Sequence, residues 1–151
     1  MPDGLASVSP NLAAVVKQEK VADDTKVVTI KSVMSSISFT HFAKDVTWAK
    51  DLYEDFVEPT LKQPFYWETW RRNPYTEPNR CVSHGDAYDS INVLAIGMGD
   101  GTTWSYTNDH CKWGISVTGS WVCVGDINRM TSQKNRGGFV CCDISLYMMV
   151  S

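Results

Sequence analysis

The chain has 151 residues, with 14 Lys and Arg against 17 Asp and Glu and three His, a formal net charge of −3 at neutral pH. That length suits one domain around one buried core, and an apolar share of 43% with six Trp excludes a disordered chain. No apolar run reaches the length of a membrane span, and the acidic balance gives no general attraction for nucleic acid at neutral pH.

The first residues, Met-Pro-Asp-Gly-Leu-Ala-Ser, carry neither the basic region nor the apolar core of a signal peptide. Taken alone, that implies a cytosolic protein. Residues 1–24 form an irregular lead with one short helix over Leu12 to Val16. The β-branched run Thr25 to Ile30 is a predicted strand. From Thr47 to Lys62 the pattern turns helical, with Thr47 as N-cap. Trp48, Leu52, Phe56 and Leu61 fall on one face and Asp51, Glu54, Asp55 and Glu58 on another, expected to be a solvated acidic face. Gln63-Pro64 ends this helix. Phe65 to Trp70 reads as a buried strand, Arg71 to Arg80 as a polar loop, and Ser90 to Ile96 as a third strand. Gly97 to Gly101 is a turn, and the apolar run Phe139 to Val150 reads as a strand or the start of a helix. Strands separated by a helix predict an α/β domain, a layered mixed β-sheet with flanking helices.

The informative stretch is Asn108 to Gly138. Lys112 to Val117 alternates polar or small residues with apolar ones, Thr118-Gly119-Ser120 signals a turn, and Trp121 to Val124 reads as the return strand of a hairpin. His110 and Lys112 are two apart, which on an extended strand places them on one face. The return strand ends at Gly125-Asp126 and delivers Asp126, Asn128 and Arg129 near its end. An imidazole can attack phosphorus while a cationic Lys and an amide donor hold the phosphoryl oxygens. An isolated H-x-K is common, however, and by itself describes a half-exposed strand with a solvated charge.

The longer context is specific. Asn-Asp-His110-Cys-Lys112-Trp, then Trp121-Val-Cys-Val-Gly-Asp126-Ile-Asn128-Arg129, then Arg136-Gly-Gly and a cysteine pair resemble the carboxy-terminal half of the deoxyribonuclease II family, within the phospholipase D superfamily. Ser38 to Lys44 and Lys50 to Asp55 also look like family segments, so the resemblance runs from about Met1 to Gly138. Gly125-Asp126-x-Asn128 stands where the superfamily has G-S-x-N, and Val117 stands where an Asp usually follows the Lys. The resemblance implies one half of a phospholipase D-like fold and an endonuclease that hydrolyses DNA without metal at acid pH. His110 would be a phosphohistidine nucleophile or the general acid, with Lys112 and Asn128 on the phosphoryl oxygens. Asp126, Arg129, Lys134 and Arg136 would form the phosphate and DNA side of the site. The family carries two H-x-K elements and this sequence one, so activity would require a homodimer. The alternative is an inactive nuclease-like domain that binds nucleic acid or a protein. By resemblance the setting is lysosomal or secreted, with Met1 inside a longer parent. Protonating the three His would bring the formal charge to zero, which favours a polyanion in acid.

His41 and Lys44 have H-x-x-K spacing, on opposite strand faces, and His84 sits in a solvated loop, so neither supplies a second element. The resemblance pairs Cys123 with Cys142, or with Cys141 by a one-residue shift, and leaves Cys81 free because its family partner lies further along. A zinc site from His110, Cys111, Cys123 and Cys141 is disfavoured, since there is no C-x-x-C pair. No cofactor and no metal are expected. Cys111 as a protease nucleophile is weaker still, being adjacent to His110.

Overall fold

Strand-forming stretches dominate the computed structural model, which describes residues 9–17, 19, 23–34, 37–72 and 74–144. Pro10–Val16 forms helix α1, with Ser9 capping it by accepting from the Leu12 N–H at 3.4 Å. The strands are β1 (Thr25–Lys31), β2 (Ser38–Lys44), β3 (Phe65–Thr69), β4 (Ser90–Asn92), β5 (Ala95–Gly97), β6 (Thr103–Ser105), β7 (Lys112–Ser116), β8 (Val122–Gly125) and β9 (Gly138–Asp143). Seven of them make one sheet in the order β1-β2-β9-β8-β7-β3-β4, while β5 and β6 form a separate hairpin. All neighbours in the large sheet are antiparallel except β3 and β4, so the sheet is mixed.

The pleat sorts the side chains. Thr40, Cys142, Cys123, Gly114, Trp67 and Asn92 stand in register across six strands and share one face. That face holds the core, in which Phe42, Phe65, Trp67, Cys123, Val140 and Cys142 pack against Leu52, Tyr53, Val57 and Ile127. Gly114 is required there, because a Cβ would sit 2.1 Å from the Trp67 ring. The opposite face leaves Val28, Ile30, Tyr66, Ile115, Val124 and Phe139 exposed among the described residues. Among these residues no helix is long and apolar enough to cross a membrane.

The expected layered α/β architecture holds, but three elements differ from the expectation. Residues 47–62 are not one helix. A 3-10 turn, Val46–Trp48, is capped by Asp45 rather than Thr47 and stops at Ala49 in the left-handed region. A π-helical turn, Tyr53–Val57, then runs into the single α turn Glu58–Leu61 (α2), which ends at Lys62, also left-handed. Nor is the acidic face solvated: Asp51 and Glu58 are 4% and 1% exposed. Glu54 pairs with Arg129 at 2.8 Å and Arg80 at 3.1 Å, and Glu58 accepts the Trp67 indole N–H at 2.7 Å. Only Asp55 of the four carboxylates stays in solvent. The run Ser90 to Ile96 is split, since Val93 donates to Trp67 O and the chain leaves the sheet for the β5–β6 hairpin. The final apolar run is a strand to Asp143, and its remainder lies outside the described residues.

The register decides the cysteine pairing. Cys123 and Cys142 are directly opposed on the core face and form the disulfide, while Cys141 points to the other face, where its thiol meets His41 Nδ1 at 3.0 Å. Cys81 and Cys111 are free. Because Cys123 is oxidised, the zinc set weighed above loses a thiolate.

Candidate active site

The β7–β8 hairpin brings the two motif elements to one end of the sheet. Trp113 opposes Val124, so the exit of β8, through Gly125 to Asn128, lies beside the entry of β7 at Lys112. Lys112 also opposes Thr69 at the end of β3, which adds Trp70, Arg71 and Arg72 to the same edge. Asp109 closes the entry turn by accepting the Cys111 N–H at 2.8 Å.

His110 precedes the first residue of β7, so the pleat does not align it with Lys112. Its imidazole is exposed and stacks on the Trp70 indole, with centroids 4.2 Å apart and planes 28° apart. Trp70 is itself fixed by its indole N–H, which donates to Thr107 O at 3.0 Å. Lys112 turns its ammonium back onto the His110 carbonyl. Asn128 is half-buried, and its Oδ1 is enclosed without a hydrogen-bond partner, an acceptor facing no donor.

The residues expected to bind phosphate separate into two groups. Arg136 is exposed. Arg129 is not presented to solvent at all: it is 0% exposed, and its guanidinium donates to Asn92 Oδ1 at 2.6 Å and Glu54 Oε2 at 2.8 Å. Its backbone N–H donates to Thr69 Oγ1 at 3.1 Å, so it ties the β8 exit to β3 and to the buried acids. Asp126 accepts the Phe139 N–H at 2.8 Å and holds the start of β9. Lys134 is ion-paired to Glu77 at 2.8 Å. A buried guanidinium needs its carboxylate and carbonyl partners to offset desolvation, and those partners hold it in the interior, away from a ligand.

Sequence reading missed the residues that surround His110. Arg72 lies over Trp70 at 4.1 Å, and Arg71 lies over the Tyr106 ring at 4.6 Å. Arg71 is buried and donates to Thr69 O at 2.9 Å and to Val93 O. Neither arginine makes an ion pair with a described residue. Glu68, opposite Trp113, is 0% exposed, and both its carboxylate oxygens lack hydrogen-bond partners. Burial pushes its carboxyl up to about 7, Arg71 pulls it down and Asp109 pushes it up. The available signal was the run Glu68-Thr-Trp-Arg-Arg72, an acid, an aromatic and two bases at a strand end.

An imidazole, the Lys112, Arg71 and Arg72 cations and the Gly125 to Asn128 turn thus gather at the strand ends of a mixed α/β sheet. The chain belongs to the deoxyribonuclease II family, whose model, described as Deoxyribonuclease II, matches residues 1–148. It is 39% identical to deoxyribonuclease-2 of Caenorhabditis elegans over 151 residues, 98% of this chain and 39% of that protein. It is 42% identical to putative deoxyribonuclease-2 of Burkholderia thailandensis over 102 residues, 68% of this chain and 29% of that protein. Deoxyribonuclease-2-alpha of Mus musculus is 30% identical over 136 residues, 88% of this chain and 38% of that protein. The chain thus spans less than half the length of each of these relatives.

Proposed function

We propose that this chain is the His110-bearing half of a deoxyribonuclease II-like endonuclease that hydrolyses DNA phosphodiesters in acid without a metal ion. The observation that supports it most is the strand-end meeting of His110, Lys112 and the Gly125 to Asn128 turn, in a member of this family. An imidazole nitrogen of His110 bonds to phosphorus while the sugar oxygen leaves and takes a proton from a second imidazole. Water then attacks phosphorus, loses its proton to that imidazole, and frees His110. Lys112 and Asn128 hold the phosphoryl oxygens, for which Lys112 must leave the His110 carbonyl. His110 could equally serve as the proton donor, with the nucleophile supplied opposite.

The second imidazole cannot be His110 itself. His41 lies against Cys141 and Phe139 on the exposed sheet face, and His84 lies in the exposed 3-10 turn Val82–His84. A homodimer supplies it by placing a second His110 across the phosphate. The Cys123–Cys142 disulfide suits an oxidising compartment, as a lysosomal or secreted setting provides. Cleavage of plasmid DNA at pH 5 should persist in EDTA and be lost in His110→Ala. Loss on chelation would refute the metal-free mechanism, and an unchanged His110→Ala would refute the site.

One observation favours a second reading. The Lys112 ammonium is turned onto the chain's own backbone rather than toward a ligand, which suits a domain that binds nucleic acid without turnover. Binding without cleavage by the full chain at any pH would select that reading.

A further inference from the structure

Beside His110 lies an open cleft of about 530 Å³ bounded by Trp70, Arg71, Arg72, Tyr106 and Thr107. We propose that this cleft seats the nucleotide next to the phosphodiester that His110 addresses, with Arg72 on a phosphate and Tyr106 against an unpaired base. The proposal rests on the nuclease reading and adds the substrate form, a single strand or a locally opened duplex.

The volume falls within the roughly 300–1,000 Å³ of small-molecule sites, whereas a free phosphate ion would leave most of it empty. The charge is right for a nucleotide. Arg71 is held by the carbonyl oxygens of Thr69 and Val93 and so acts as a fixed positive charge in the wall. Arg72 is exposed, and its guanidinium lies over the Trp70 ring with no ion pair to a described residue. A guanidinium stacked flat on an indole keeps its N–H edge free, and that edge matches a phosphate. The acids nearby are Asp109 and Glu68, and Asp109 is turned inward onto the Cys111 N–H.

The aromatic wall decides between strand forms. Tyr106 is half-buried with Arg71 over its ring, and Thr107 anchors Trp70, which carries both Arg72 and His110. Base–aromatic stacking needs an exposed base face, which a paired and stacked duplex does not offer. Arg72 and His110 both lie against the Trp70 indole, and Tyr106 lines the same cleft.

The test uses the full chain with a five-residue oligothymidylate, the same oligomer made abasic at every position, and inorganic phosphate, titrated at pH 5 and low salt. Arg72→Ala should weaken oligothymidylate binding about ten-fold or more, with Arg72→Lys recovering only part. Tyr106→Leu should weaken oligothymidylate about ten-fold or more and leave the abasic oligomer unchanged, while Tyr106→Phe retains binding. Thermal midpoints of the conservative variants control for folding. Wild-type affinity in Arg72→Ala and Tyr106→Leu overturns the cleft and leaves the nuclease reading standing if His110→Ala still abolishes cleavage. Plasmid cleavage without oligothymidylate binding also overturns the cleft alone. Neither binding nor cleavage of any DNA by the wild-type chain overturns both.

Discussion

Glu58 makes the stability of this protein depend on acid. Its carboxyl is buried under β3, where burial pushes its pKa from 4.5 to about 7, against the pull of the Trp67 indole N–H. A carboxyl whose folded pKa is raised binds its proton more tightly in the folded state. The resulting stabilisation is fully present below about pH 4.5 and is lost as pH rises through about 7. The shift of roughly 2.5 units corresponds to about 3 kcal/mol at 1.36 kcal/mol per unit. With a urea slope of about 1–3 kcal/mol per molar, that one group should lower the unfolding midpoint by about 1–3 M between pH 4.5 and pH 8. Asp51 and Glu54, both raised by burial, act in the same direction. Glu58→Gln keeps an acceptor for Trp67 and removes the titration. Its loss of stability between pH 4.5 and 8 should therefore be smaller than wild type by about 3 kcal/mol. Equal pH slopes for the two proteins in urea titrations would show that the buried carboxyl is not the source.

Trp70→Leu should remove the ring current from His110, so the imidazole carbon protons move downfield in the NMR spectrum, and the pH profile of any cleavage should change with it; unchanged resonances would mean that the stack is absent in solution. Reducing Cys123–Cys142, or Cys123→Ser with Cys142→Ser, should cost roughly 3 kcal/mol in denaturant unfolding by the loop-entropy argument for a 19-residue separation; a variant as stable as wild type would refute that. Mixing His110→Ala with wild-type chains under subunit exchange should lower cleavage as the square of the wild-type fraction, and a linear fall would rule out a shared dimeric site.

Local chemistry made parts of this protein legible from its residues alone. The alternation of Lys112 to Val117, the Thr-Gly-Ser turn and the run Trp121 to Val124 define a hairpin within about 14 residues, and the hairpin appears with β7 and β8. Strand ends are equally local, so the gathering of the H-x-K and Gly125 to Asn128 elements follows from the hairpin itself. The disulfide pairing came to two choices only through the family resemblance, and the register Cys123 opposite Cys142 selects one.

What the sequence could not decide depends on partners far along the chain. The carboxylates of residues 51–58 share a helical face, and a helical wheel assigns such a face to solvent. Whether they stay there depends on Arg129 arriving 75 positions later and on the Trp67 indole, both on the other side of the core. The same ion pair removes Arg129 from the phosphate site, because a guanidinium paired in the interior and 0% exposed is not presented to a ligand. His110 acquires its setting the same way: in the sequence Trp70 ends an expected strand and Arg71 and Arg72 open a loop, but pairing of β3 with β7 carries them to the imidazole. Residue types and periodicity determine which segments can be strands and which groups can do chemistry. Sheet register, a property of pairs of distant segments, decides which of those groups meet and which are buried.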